Sequence, residues 1–140
     1  MTSEYEPRYL AGIVCFNRRD FFEAHEVWEN LWLDENVGTD RRFVQGLIQA
    51  AVGLFHFGNG NRRGAVKLYG TAKNYMAAYP SPYLGLDHGA FWYDMERCFA
   101  DLHADPENPG VHLNEMLIPT IALDPPPVAW PDPESYLHDE

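Results

Sequence analysis

Lysine is nearly missing from this sequence. Of its 10 basic residues only Lys67 and Lys73 are lysine, and they stand against 21 aspartates and glutamates in 140 residues. The formal net charge of −11 repels phosphate backbones, which argues against nucleic acid and anionic membrane as partners. An acidic, lysine-poor chain also has the halophilic-like composition of a protein from a high-salt cytoplasm, where salt screens the self-repulsion of a compact fold. Long apolar runs are missing too: none approaches the roughly 20 residues that a membrane helix needs. The opening Met1-Thr2-Ser3-Glu4-Tyr5-Glu6 lacks the basic-then-apolar order of a signal peptide, so the expected location is cytoplasmic. Cysteine is limited to Cys15 and Cys98, neither with a partner at metal-binding or redox spacing, and both read as buried thiols.

What is present is apolar and periodic. Hydrophobic residues make up 46% and aromatic residues 14%, enough for a core. Pro7 suits the first turn of a helix running to about Phe16, with Tyr9, Leu10, Ile13 and Val14 on its apolar side. Asp20, with Glu23 three residues on, predicts the capped start of a second helix ending near Leu33. Asp34 to Gly38 reads as a loop, and Thr39 or Asp40 as the cap of a third helix reaching about Phe57. That helix is apolar nearly all round, as a central helix must be, and Gly46 and Gly53 mark points of close helix approach. The turn Gly58-Asn59-Gly60-Asn61 leads into a fourth helix from Arg62 to about Tyr79, stopped by Pro80-Ser81-Pro82. Asp87 caps a fifth, His88 to His103, and Asn114 to Ile118 reads as a short helical turn. The expected fold is all-α: a small antiparallel bundle of about five helices over residues 1–124, with a proline-rich C-terminal strap or tail over 125–140.

Chemistry concentrates on the second helix. At about 100° per residue His25, Glu29 and Trp32 share a narrow sector, with Phe22 and Glu26 beside them. Phe22 and Trp32 call for burial, so His25 and Glu29 are expected to be drawn inward, where charges need partners. On the third helix Gln45, Gln49, Val52 and His56 form one stripe. Facing each other, the stripes would make an internal cluster of His25, Glu26, Glu29, Gln45, Gln49 and His56.

Three readings of that cluster compete. It is a buried hydrogen-bond network fixing the helix register. Or it binds a small ligand or a divalent metal, with His25, Glu29 and His56 as ligands. Or Glu26 or Glu29 is the general acid or base of a hydrolase, metal-dependent or not. Two standard metal motifs are not met. The zinc-protease helix needs a second His where Glu29 stands, and di-iron bundles need Glu where Phe22 stands. A different class of function is an oligomeric interaction module, and a homodimer in particular. One helix face cannot bury all of the run Phe91-Trp92-Tyr93, which leaves an aromatic side chain for an interface. Arg62-Arg63 reads as a solvated pair, with an anionic ligand as the sharper alternative.

The run Phe16-Asn17-Arg18-Arg19-Asp20-Phe21-Phe22-Glu23-Ala24-His25-Glu26-Val27-Trp28-Glu29-Asn30-Leu31-Trp32 is followed by Phe43-Val44-Gln45-Gly46-Leu47-Ile48-Gln49, His56 and Asn61-x-x-Gly64-Ala65. Taken together this pattern, over about residues 10 to 75, resembles the domain of unknown function family 309. The resemblance implies a small helical bundle from bacteria or archaea with no established activity. It places that family's signature positions on the stripe, and it names no substrate or catalytic residue. One departure is Arg19, where the family often has Gly, which bears on the turn and not on the stripe.

Overall fold

The computed structural model describes residues 5–137; Met1 to Glu4 and residues 138–140, His138 and the end of the proline-rich tail among them, lie outside the described residues. Among those described there are six α-helices: α1 (Pro7–Asn17), α2 (Phe21–Trp32), α3 (Arg41–Gly58), α4 (Arg62–Ala77), α5 (His88–Cys98) and α6 (Ala100–Ala104). No strand is formed by these residues; Tyr83 and Leu86 make one isolated bridge. The expected fifth helix is present but breaks at Phe99 into α5 and α6. No helix is long and apolar enough to cross a membrane.

From α1 to α5 successive helices run antiparallel. Trp28 of α2 is fully buried, and its indole nitrogen donates to the Tyr9 carbonyl at 3.0 Å. A Cβ on Gly12 would lie 2.1 Å from that nitrogen, so the indole occupies the space a side chain would need. At the other end of the pair, Phe16 meets Phe21 edge-on at 5.2 Å. Between α3 and α4, Gly46 lies against Met76 and Ala72, and Gly53 against Leu68 and Ala65, as the spacing predicts. A Cβ on Gly46 would come within 2.4 Å of Met76 Cγ, whereas at Gly53 the contact is ordinary. Helix α5 closes the core with rings: Phe91 on Phe16, Trp92 on Tyr69, and beyond its end Phe99 on Phe57. In the run Phe91-Trp92-Tyr93 two residues are buried and Tyr93 is exposed. Cys15 and Cys98 are free, buried thiols, each pushed up to about 11 chiefly by burial.

Caps depart from expectation at two starts. Asp20 and Asp40 stand at the N-caps of α2 and α3, yet neither side chain bonds its helix. Asp40 instead accepts from the Tyr83 hydroxyl. Asp87 and Asn61 do cap α5 and α4, accepting from Ala90 and Gly64 at 3.0 Å each. The stretch after α2 is not a plain loop but a 3-10 segment, Glu35–Asp40, turned at Gly38 where φ is +68°. Arg19 sits at φ +70°, the left-handed region where glycine is at ease and other residues are strained by about 1 kcal/mol or more. Its guanidinium offsets the strain by donating to the Ile118 and Pro119 carbonyls, both at 3.1 Å.

Those bonds belong to the returning C-terminal segment. Asn17 brackets Ile121 with two bonds, to its carbonyl at 2.9 Å and from its amide at 2.8 Å. Ile118, Ile121, Leu123 and Pro133 are buried, while Trp130 is 44% exposed.

Two helix-interior glycines separate packing from propensity. Gly12→Ala will destabilise the fold by about 1–3 kcal/mol, because the indole cannot yield, despite a helix-propensity gain. Gly70, on α4, has nothing within 4 Å of an added Cβ, so Gly70→Ala will stabilise by up to about 1 kcal/mol. Urea unfolding of both variants checks the pair; equal signs would contradict the packing account.

Candidate functional site

Helix α2 buries Phe21, Ala24, Val27, Trp28 and Leu31. That face is fixed by the seating of Trp28 on Gly12, and it is turned by more than a quarter of a revolution from His25 and Glu29. The stripe therefore lies along the outer edge of the α2–α3 pair and is not internal. Glu26 is exposed, the Glu29 side chain is 49% exposed and that of His25 24%. Phe22, expected to be buried, is 47% exposed and rests on Phe55 at 5.8 Å across the helix pair.

The six candidates divide into small groups. His25 and Glu29 are together, with Nε2 to Oε1 at 3.8 Å, and His25 Nδ1 faces the carbonyl of its own Phe22 at 3.3 Å. Gln49 accepts from the Thr71 hydroxyl of α4, so it turns away from α2. His56 Nδ1 meets the Asn61 amide at 3.4 Å. Gln45 is half-buried, and Glu26 faces solvent. Among the described residues no hydrogen bond joins the α2 members to the α3 members, and no three His, Cys, Asp or Glu are placed to hold a metal ion. The physical reason is rotation: α3 presents Gln49 to α4, against which Gly46 and Gly53 bring it close. Trp32, also on the stripe, has a buried indole nitrogen with no acceptor, under the Arg41 guanidinium at 5.6 Å from the ring.

A second group of charges gathers elsewhere. Between the start of α1, the end of α2, the 3-10 segment and the turn before α5 lies a cavity of about 260 Å³. Glu6, Arg8, Asp34 and Asp40 line it together with the rings of Tyr5 and Tyr9. Arg8 ties α1 to α2: its guanidinium reaches Glu6 at 2.6 Å, Asp34 at 2.8 Å and the Asn30 carbonyl at 3.2 Å. The Glu6 and Asp34 carboxylates raise the Arg8 pKa, Glu6 contributing most, and Arg8 in turn holds Asp34 below the usual carboxylate range. Tyr83, desolvated and donating to Asp40, is pushed up to about 12. Burial pushes Tyr9 higher still, and its hydroxyl donates to the Leu84 carbonyl at 2.9 Å. Tyr5 donates to the Pro125 carbonyl at 2.6 Å. The bonding at Leu84 has a backbone counterpart, since that residue takes a left-handed φ of +48°.

Sequence reasoning passed over this cavity. Arg8 and Asp34 are 26 positions apart and share no motif. Their one advance signal was a lone basic residue in the first helix and an acidic residue just past the second, which an antiparallel pair brings level.

Because Asp34 has a lowered pKa in the fold, its contribution to stability is present above the ordinary carboxylate value. That contribution is lost as pH falls through the depressed one. Carboxyl NMR titration should place Asp34 below the ordinary aspartate value, and Arg8→Gln should bring it back up. A normal value in the parent protein would contradict the clamp.

Residues 9–68 match the family model described as "Domain of unknown function (DUF309)", so the resemblance carried by the motif run is borne out over α1, α2, α3 and the first part of α4. The "Uncharacterized protein YpuF" of Bacillus subtilis (strain 168) is 35% identical to this chain over 88 residues, which is 61% of this chain and 51% of that protein. The chain thus spans about half the length of this curated relative.

Proposed function

We propose that this protein, with its DUF309-like segment as scaffold, binds a small organic cation in the cavity between α1, the end of α2 and the 3-10 segment. The observation that carries this is the cavity's lining: three carboxylates, Glu6, Asp34 and Asp40, and one guanidinium, that of Arg8 held by Glu6 and Asp34, in a space also walled by tyrosine rings. The lining is net negative, and among the described residues the Asp40 carboxylate accepts from the neutral Tyr83 hydroxyl and forms no ion pair. A protonated amine or quaternary nitrogen with a short carbon skeleton suits that combination, because carboxylates supply charge and ring faces supply cation–π contact. Charged groups that shift one another's protonation in a concave site are also a marker of functional sites. Glu26 and Glu29 do not line this cavity, so the reading assigns them no catalytic role.

Titrating the full chain with small primary and quaternary amines, and with carboxylates of matched size, tests the reading. Amines should raise the melting temperature and shift the NMR signals of Tyr9, Val37 and Leu84. Asp40→Asn, which keeps an acceptor for Tyr83, should weaken amine binding about tenfold while leaving the unliganded protein folded. No response to any amine, or a response to carboxylates alone, would sink it.

A second reading is self-association through the α2–α3 edge, favoured by the exposure of Phe22 and Phe55 together. That edge sets histidines beside glutamates, so a two-fold pair can place His25 or His56 of one copy against Glu26 or Glu29 of the other. Sedimentation should then show a dimer that Phe22→Ser with Phe55→Ser converts to a folded monomer; a monomer at high protein and salt concentration rules it out.

A further inference from the structure

Helix α4 is rich in positive charge for so acidic a chain. It carries Arg62, Arg63, Lys67 and Lys73 and no acidic residue. None of these four is ion-paired among the described residues. Three of them converge. Arg62, Arg63 and Lys67 line an open groove of about 500 Å³ between the start of α4 and the turn after α6. Val66 of α4 and Pro106 of the opposite wall add apolar lining, and with Glu107 as the one carboxylate the lining stays net positive.

The groove is also held in shape. The Arg62 Nε–H donates to the Pro106 carbonyl at 3.2 Å, which fixes the guanidinium plane and joins the two walls. Asn61 satisfies the Gly64 amide, leaving the amides of Arg62 and Arg63 without an acceptor among the described residues. Lys67 follows Arg63 by one helical turn, so both side chains rise on the same side.

We propose that this groove binds a small, multiply charged anion bearing phosphate or carboxylate groups, a site separate from the cation cavity. The three side chains set its sign and the two amides add directional donors. Size is decided by the rest of the molecule. The remaining surface is strongly acidic and repels a long polyanion, whereas a compact one stays within the screening length of the basic cluster, about 8 Å at physiological salt. Nucleic acid and anionic membrane are excluded on that ground, and the apolar wall leaves room for a short carbon skeleton.

The test uses the full chain, amide NMR and constant ionic strength, with inorganic pyrophosphate in one arm and citrate in the other. Saturable shifts at the Arg62, Arg63 and Gly64 amides are expected, and the arm that saturates at lower concentration names the chemistry. Arg63→Gln with Lys67→Gln should weaken binding at least about tenfold, since two charge-assisted contacts go. Lys73→Gln removes a charge from the same helix outside the groove and should change affinity by less than about twofold. Both variants replace exposed side chains, so folding is preserved. Shifts that grow linearly in both arms would overturn the proposal. So would an equal loss in Lys73→Gln and the double variant, because binding would then follow net charge and not the groove.

Discussion

The packing of Trp28 on Gly12 is the constraint on which the rest of this structure depends. One indole fills the space beside a glycine backbone and bonds the Tyr9 carbonyl, so α1 and α2 can meet in one register and at one rotation. Buried area explains part of the strength: a fully buried tryptophan contributes several kcal/mol and its removal is costly. Geometry explains the consequence. With Trp28 seated inward, His25 and Glu29 must lie at the edge, Arg8 must lie level with Asp34, and the cavity between the helix ends follows. The polar stripe and the cavity are two outcomes of one rotation of α2.

The same case shows how far the sequence was legible. Helix positions came through well, since Pro7, Asn61, Asp87 and the Gly58–Asn61 turn act on their own neighbours. Gly46 was legible because a glycine inside an apolar helix is costly unless a neighbour approaches closely, and Met76 does. The inward placement of the stripe did not hold. Phe22 and Trp32 flank it, but hydrophobicity alone does not order several competing faces of one helix. Alanine and glycine at positions 24 and 12 allowed the face with Trp28 to pack more closely, and the larger Phe22 was left at the rim. The cavity was illegible for a different reason: its charged members come from α1, the segment after α2 and the start of α3, and no local pattern links them.

Arg19 joins these scales. In the resembling family the position often holds glycine, and its left-handed backbone is what glycine tolerates most easily. Here an arginine accepts that conformation and uses its length to hold the Ile118 and Pro119 carbonyls. A local strain is thus exchanged for a long-range tie that fastens the C-terminal segment over the core. The tie continues through Asn17 to Ile121 and through Tyr5 to Pro125, so the segment outside the family match contributes to walls that the matched helices begin.

That division runs through both proposed sites. Tyr9, Asp34, Asp40 and Val44 of the cavity lie within residues 9–68, while Leu84 closes it from outside. Arg62, Arg63 and Lys67 of the groove lie within the same span, while Pro106 and Glu107 form its opposite wall. In the groove the matched span supplies all three basic side chains, whereas the cavity takes Asp34 and Asp40 from that span and Glu6 and Arg8 from the residues just before it. The signs are opposite and the sites are kept apart, one at the α1–α2 ends and one at the α3–α4 turn. Arg62, Arg63 and Lys67 are not ion-paired among the described residues. An exposed pair is worth under about 1 kcal/mol, so leaving these cations unpaired costs the fold little. Folding is therefore nearly indifferent to the three charges, and what sets them apart is their convergence on one groove whose lining is net positive.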